Sequence, residues 1–239
     1  MTYFKQDWIA IFNKLNIKAN MTVCVSGDHP AFAHTINQHA AIIEALVEQL
    51  GYDGTLIYMS KNQQQREPAW DLTVPVAALN KIREELVHSE QRPPLHDLFA
   101  LALLVRKDVI VQHSGSVSFY AIGKYARFIT RKVPNHFPFG DRGPLKACID
   151  LKATVLHFGE EINSCYPLYY YQQNDISSPI MINGGVIEED GVLRWQKFLD
   201  RVINEQSIFD YLNHNQANIG QAYLQDQPIV AFPLTSSNQ

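Results

Sequence analysis

Cysteine is scarce in this chain of 239 residues: Cys24, Cys148 and Cys165 are its three, and they stand far apart. That spacing excludes a CxxC metal or redox motif and leaves no paired disulfide framework to read. Long apolar runs are missing too, since none approaches the roughly 20 residues that a membrane-spanning helix needs. The opening stretch, MTYFKQDWIAIFNKL, lacks the basic segment, apolar core and small-residue cleavage site of a secretion signal. A reducing cytoplasm is therefore the expected location, with no membrane partner. Positive charge is not in excess either. The net charge is −4, and without a clustered positive field a phosphate backbone has nothing to dock on. No nucleic-acid partner is expected.

Metal and hydrolase chemistry lack their spacings. The nine histidines are scattered. His34 and His39 come nearest to a pair, with no His-x-x-x-His step or carboxylate cluster to complete a zinc site. Neither a Gly-x-Ser-x-Gly elbow nor a phosphate-binding P-loop occurs, and no internal repeat or low-complexity tract interrupts the chain.

What is there is an ordinary globular composition, 46% hydrophobic and 18% charged, over a length that suits one domain, residues 1–239. Phe4, Trp8, Ile11, Phe12 and Leu15 fall at helical spacing. MTVCV (21–25) reads as a strand and SGDHPAF as a turn-like segment. HAAIIEALVEQLG (39–51) reads as a helix closed by Gly51 at its C′ position, and TLIYMS (55–60) as another strand. Strand, helix, strand within about 40 residues is a βαβ unit, so an α/β fold with a parallel or mixed sheet follows. From Asn62 to Pro94 a polar, proline-containing stretch reads as a surface excursion with a short helix around 80–87. HDLFALALLVRK (96–107) is predicted helical and DVIVQHS a strand. SVSFYAIGKYARFIT (116–130) reads as a helix on the spacing of Phe119, Ile122, Ala126 and Ile129, and ATVLHFG (153–159) as a buried strand. GYDG and INGG read as turns, the second within a hairpin, and LRWQKFLDRVI as a helix.

Two stretches carry candidate chemistry. In HSGSVSFYAIGKYA (113–126), Ser116 or Ser118 can cap the predicted helix, whose free amides and positive dipole end would favour a phosphate. An ordinary serine-capped helix accounts for the same residues. Gly123 inside that helix costs about 1 kcal/mol and implies a close backbone approach. After ATVLHFG, where an α/β protein usually keeps acids and bases, INSCYPLYYYQQN (162–174) offers tyrosines, a cysteine and a proline instead. Tyr169 to Tyr171 suit either a stacking wall for a ring or alternate burial at a sheet edge. His157 is either a packed core histidine or a base, and Cys165 either a packed thiol or a nucleophile with no partner at readable spacing. Asp28 and His29 form either a plain turn or a substrate-orienting group at the mouth of the first strand.

In order and at suitable separations, VSGDH, LVEQLGYDGTL, HSGSVSFYAIG, FGDRGPL, ATVLHFG and CYPLYY, followed by VLRWQKFLD, resemble the motifs of the aminoglycoside 3-N-acetyltransferase family, the antibiotic N-acetyltransferases. The resemblance covers residues 6 to 212. It implies a three-layer α/β/α sandwich with a mixed sheet, an N-acyltransferase that takes acetyl-coenzyme A as cosubstrate, and a small-molecule amine as acceptor; a homodimer would be unsurprising. Ser118, Phe119, Ala121, Gly123 and Pro144 match the family's motifs. Ser114 stands where the family has a proline after the histidine, Gly143 where it has a serine, and Ile110 and Val111 where it has a polar pair. The resemblance assigns coenzyme A to Ser26, His113, Ser114, Ser116, Ser118 and Phe119, with Ser26 and Asp28 near the thioester. It assigns the acceptor to Asp28, Cys165 and Tyr170, and the catalytic centre to Tyr166 and Tyr169, with His157 close by. Lys124 and Arg127 suit either the cofactor's outer phosphate or a solvated helix face.

At Tyr166 and Tyr169 the family carries the histidine and glutamate that take up the acceptor amine's proton. A phenol's reference pKa near 10 lies about 3.5 units above imidazole's, so it accepts protons poorly at neutral pH. General-base assistance is worth about 10²- to 10⁴-fold, whereas holding thioester and nucleophile together supplies roughly 7 to 11 kcal/mol in favourable cases. The expectation is an acyl-coenzyme A dependent N-acyltransferase with an altered centre and an unidentified amine acceptor. The alternative is a non-catalytic homologue that binds a ligand or a partner protein.

Overall fold

The computed structural model describes residues 2–61, 67–89, 93–160, 164–202, 204, 206, 208, 211–212 and 218–235. Its frame begins with the βαβ unit that the sequence predicts. Strands β1 (Thr22–Gly27) and β2 (Thr55–Lys61) lie parallel and are joined through helix α2 (Gln38–Leu50). Helix α2 stops where Gly51 takes φ +67°, a conformation that costs glycine little and other residues more. Its buried stripe, Ile42, Ile43, Leu46 and Leu50, shares one core with Trp8, Ile11 and Phe12 of α1 (Lys5–Lys14). Phe4 leaves the predicted stripe: it is the exposed N-cap residue of α1.

Seven strands make the main sheet, in the order β3-β4-β2-β1-β5-β9-β8. The remaining members are β3 (Ile110–His113), β4 (Val117–Gly123), β5 (Thr154–Phe158), β8 (Gly220–Leu224) and β9 (Gln227–Pro233). Strands β2, β1 and β5 run parallel at the centre, while β4, β3, β9 and β8 are added antiparallel. All three central strands therefore end at one edge. Helices α1, α2 and α4 (Leu98–Leu104) feed the core on one face. Helices α5 (Ala126–Thr130), α6 (Pro144–Asp150) and α7 (Tyr169–Asn174) feed the core on the other. This is the expected three-layer sandwich with a mixed sheet. Helix α3 (Leu79–His88) packs against a separate hairpin, β6 (Ile180–Glu189) and β7 (Val192–Arg201). Residues 62–66 and 90–92 of the predicted excursion lie outside the described residues, and no helix among those described is long and apolar enough to cross a membrane.

Two predicted helices prove to be strands. Residues 117–123 form β4, and the helix that follows is confined to 126–130. Because β4 lies between β2 and β3, it buries Val117, Phe119 and Ala121 in one core and Tyr120 and Ile122 in the other, so no polar alternation marks it. LRWQKFLDR belongs to β7, INGG lies inside β6, and the chain reverses instead at Asp190 and Gly191, both with positive φ. Gly123 does mark a close backbone approach, though in a strand: it has φ +106°, and a Cβ there would stand 2.1 Å from the Gly54 carbonyl oxygen.

Candidate functional site

A cleft of about 570 Å³ opens at the C-terminal ends of β1, β2 and β5, the edge at which parallel strands leave ligand sites. Two glycines bring its backbones together. A Cβ on Gly27 (φ +78°) would stand 2.1 Å from the Phe158 carbonyl oxygen, and one on Gly159 (φ +90°) 2.5 Å from that of Asp28. Only residues without a side chain allow β1 and β5 to meet this closely.

The pairing of β1 with β2 sets two opposite charges on the cleft wall. Val25 lies opposite Tyr58; three residues further on in each case, Asp28 follows the end of β1 and Lys61 closes β2. Both line the cleft. Asp28 Oδ1 accepts the His29 amide at 2.8 Å and faces His39 Nε2 at 3.8 Å. The pairing with His39 holds the carboxyl below its ordinary pKa, with burial acting against it. His39 itself is packed edge-on against Phe32 and Phe99. On the other side, Lys61 Nζ donates to the Tyr169 hydroxyl at 3.4 Å and lies 5.0 and 4.8 Å from the ring centroids of Tyr166 and Tyr169. Burial among these groups lowers the lysine's pKa, and the Asp200 carboxylate opposes the shift. The aromatic faces favour the charged ammonium. Asp97 caps α4 by accepting the Ala100 amide at 2.9 Å and also takes the Tyr58 hydroxyl at 3.0 Å.

Of the residues singled out in the sequence, Asp28 and Tyr166 line this cleft. Tyr169 is buried behind Tyr166, the rings 5.5 Å apart and edge-on. Burial raises the Tyr166 phenol above its ordinary pKa, followed by the effect of Asp97, which makes it a still poorer proton acceptor. Ser26, His157 and Cys165 form a chain one layer back: Ser26 Oγ lies 3.0 Å from His157 Nδ1 and donates to Cys165 Sγ at 3.4 Å. Burial pushes the Cys165 thiol up to about 12. Tyr170 turns away and donates to Asp141 at 2.5 Å. Residues 161–163, which include the first two residues of the INSCYPLYYYQQN segment, lie outside the described residues.

His113, Ser114, Ser116, Ser118 and Phe119 sit on β3, β4 and the turn between them, and none lines the cleft. The helix start expected to cradle a phosphate is a turn between two strands. Ser114 Oγ accepts the amides of Ser116 and Val117 at 3.2 and 3.1 Å, and the Ser114 amide donates to the Val117 carbonyl at 2.8 Å. The Gly115 amide donates to Asn135 Oδ1 at 3.2 Å, and His113 Nδ1 pairs with Ser118 Oγ at 2.6 Å. With no helix starting there and these amides engaged, no row of N–H groups faces outward for a pyrophosphate. The β6–β7 hairpin lies over this turn: a Cβ on Gly185 would stand 2.2 Å from the Gly115 carbonyl oxygen. Lys124 pairs with Asp53 at 2.9 Å.

Lys61, Tyr58 and Asp97 also line the cleft, without a motif in the sequence to mark them. A signal existed for Lys61, which ends a strand of the βαβ unit, and for Asp97, whose place before FALALL is that of an N-cap. Their convergence with Asp28 depends on strand register, which only the fold supplies.

Comparison with known proteins agrees with this architecture. The profile of the family described as aminoglycoside 3-N-acetyltransferase matches residues 28–235. The SPbeta prophage-derived aminoglycoside N(3')-acetyltransferase-like protein YokD of Bacillus subtilis (strain 168) is 26% identical over 243 residues, covering 98% of this chain and 85% of that protein. The crystal structure of YokD superimposes with a TM-score of 0.83 at 21% identity, over 98% of this chain and 94% of that one. AAC-IIIb, binary with CoASH, gives 0.79 at 16% identity, over 98% and 92%. Sisomicin-bound AAC-VIa gives 0.78 at 14% identity, over 97% and 93%. Those likenesses speak for the fold. The profile, whose match spans residues 28–235, speaks for descent: this chain belongs to the aminoglycoside 3-N-acetyltransferase family.

Proposed function

We propose that the protein is an N-acyltransferase that uses acetyl-coenzyme A, with an altered catalytic centre and a small-molecule amine as acceptor. One observation carries this reading. The cleft joins Tyr166, at the position of the family's histidine, to the opposite charges of Asp28 and Lys61, in a volume suited to a thioester end and a small amine. The AAC-IIIb structure with CoASH supports the donor. The fit of coenzyme A itself is divided. The cleft has room for the acyl end, whereas the amides at 114–117 are engaged. The assignment of Ser26, His113, Ser114, Ser116, Ser118 and Phe119 to the cofactor therefore rests on the family motif. The buried hydroxyls of Ser60 and Ser116 have no hydrogen-bond partner among the described residues and retain capacity for one. Residues 1–239 form one acetyltransferase-like domain on this reading, supported by one sheet that draws its strands from residue 22 to residue 233, and the protein acts in the cytoplasm.

In the reaction, an acceptor ammonium first gives a proton to water, and the neutral nitrogen so formed attacks the acyl carbonyl and makes an N–C bond. The C–S bond breaks with its electron pair leaving on sulfur. The nitrogen's proton passes to water, and the thiolate takes one back. Tyr166 and Tyr169 supply ring surface and not basicity, so positioning carries the larger share of the rate.

Calorimetry with coenzyme A and acetyl-coenzyme A, followed by thiol release against aliphatic and aromatic amines, tests this. Binding of both cofactor forms and release with at least one amine are expected; a protein that ignores both cofactor forms is not this enzyme. Tyr166→His and Tyr169→Glu, combined with Lys61→Thr to remove an ammonium that would pair with the new carboxylate, should raise release with a simple amine about 10²- to 10⁴-fold. The two phenols at the family's catalytic positions also favour a second reading, a non-catalytic homologue that binds a ligand or partner. Cofactor binding with no release from any amine would be its signature.

A further inference from the structure

We infer that the cleft takes a zwitterionic acceptor, an amine carrying a carboxylate a few bonds away, with its ammonium end on Asp28 and its anionic end on Lys61. This identifies the acceptor class for the acyl-transfer reading above and rests on it.

Three observations carry the inference. First, Asp28, just past β1, and Lys61, the last residue of β2, line the same cleft at the mouths of two adjacent parallel strands, yet their partners are separate: His39 for Asp28, Tyr169 for Lys61. Opposite charges on one cleft, each turned to a different support, present two poles to whatever lies between them. Second, each pole keeps capacity. The contacts of Asp28 with the His29 amide and His39 both fall on Oδ1, and its side chain is 84% exposed. The Lys61 ammonium has three donors and, among the described residues, spends one on the Tyr169 hydroxyl. Third, Lys61 is the single lysine or arginine among the described residues of the cleft, while Asp97 and Glu160 add negative charge to the same lining. The carboxylates welcome an amine from several sides. Lys61 alone can discriminate, attracting an anionic substituent and repelling a second cationic one. Its place beside Tyr166, the catalytic position of the family, puts that discrimination next to the reacting nitrogen.

Binding of L-phenylalanine, phenethylamine and 3-phenylpropionate to the full chain separates the poles, because the three share one ring and differ in charge. The ring suits a cleft lined by Tyr58, Phe99, Phe158 and Tyr166. L-Phenylalanine is expected to bind at least about tenfold more tightly than either single-charge probe. Lys61→Met should erase its advantage over phenethylamine, and Asp28→Asn its advantage over 3-phenylpropionate. Lys61→Gln serves if Lys61→Met does not fold, as judged by circular dichroism. Equal binding of phenethylamine and the amino acid, no binding of any probe at millimolar concentration, or unchanged selectivity in the Lys61 variant overturns the inference. Acetyl-coenzyme A binding and thiol release are measured alongside. A protein that selects the amino acid but ignores acetyl-coenzyme A keeps the zwitterion site and loses the transferase. One that acetylates phenethylamine as readily as the amino acid keeps the transferase and loses this acceptor class.

Discussion

Asp200 holds its proton unusually tightly for a carboxyl. Gln173 Nε2 donates to it at 2.5 Å and the Arg201 amide at 2.9 Å. Burial nevertheless raises its pKa to about 6, against the pull of that amide and of the Lys61 charge. A folded pKa above the unfolded one means that the native state binds the proton more strongly. This group therefore favours the fold below its unfolded value, and that contribution is lost as pH rises through about 6. Asp200→Asn keeps an acceptor and removes the charge. The variant should show a flatter stability profile between about pH 4 and 6 and a gain of about 1–2 kcal/mol above pH 7, discounted for partial exposure. Denaturant midpoints on both sides of the transition measure it, and an unaltered slope would contradict the assignment. Gly27 sets a second test at this scale. Its positive φ and the 2.1 Å clearance to the Phe158 carbonyl make Gly27→Ala destabilising by about 2 kcal/mol or more. Probe binding in the cleft should weaken with it.

Among the elements, the β6–β7 hairpin depends on closeness. Gly185 fits over the Gly115 carbonyl, and Gly115 fits under the Phe198 ring. Gly185→Ala should therefore cost about 1–3 kcal/mol and shift the fluorescence of Trp195, whose indole donates to Glu67 at 3.3 Å. A variant with wild-type stability would show that the hairpin is not seated this way. The same elements show which parts of the fold are legible in sequence. Helix α2 is legible because its stripe has the helical period and Gly51 ends it; β1, β2 and β5 are legible as short apolar runs between turn residues. Strand β4 is not, because a strand buried on both faces loses its alternation, and Phe119, Ile122, Ala126 and Ile129 then satisfy a helical spacing by accident. Strand β7 fails for the opposite reason: of its ten residues Phe198 alone is fully covered, so burial imposes little pattern. At the site, Tyr166 and Asp28 could be named from family motifs and strand ends. Lys61 could not, because its meaning comes from the register between β1 and β2 and from rings contributed by a segment about 100 residues away.

At the scale of the whole molecule, the sheet is assembled out of chain order. Strand β5 is flanked by β1, made early, and by β9, made late, with Phe158 paired to Ile229. Ending the chain after Ile219 removes β8 and β9 and leaves one side of β5 unpaired. The shortened protein should partition into the insoluble fraction, and a soluble form that still binds acetyl-coenzyme A would show that β9 is dispensable. An unpaired, apolar strand edge is a template for association. During synthesis, then, the growing polypeptide carries an adhesive seam until residue 233 leaves the ribosome. A message cut short before the codons of β9 would yield material for chaperones and proteases, not a smaller working protein.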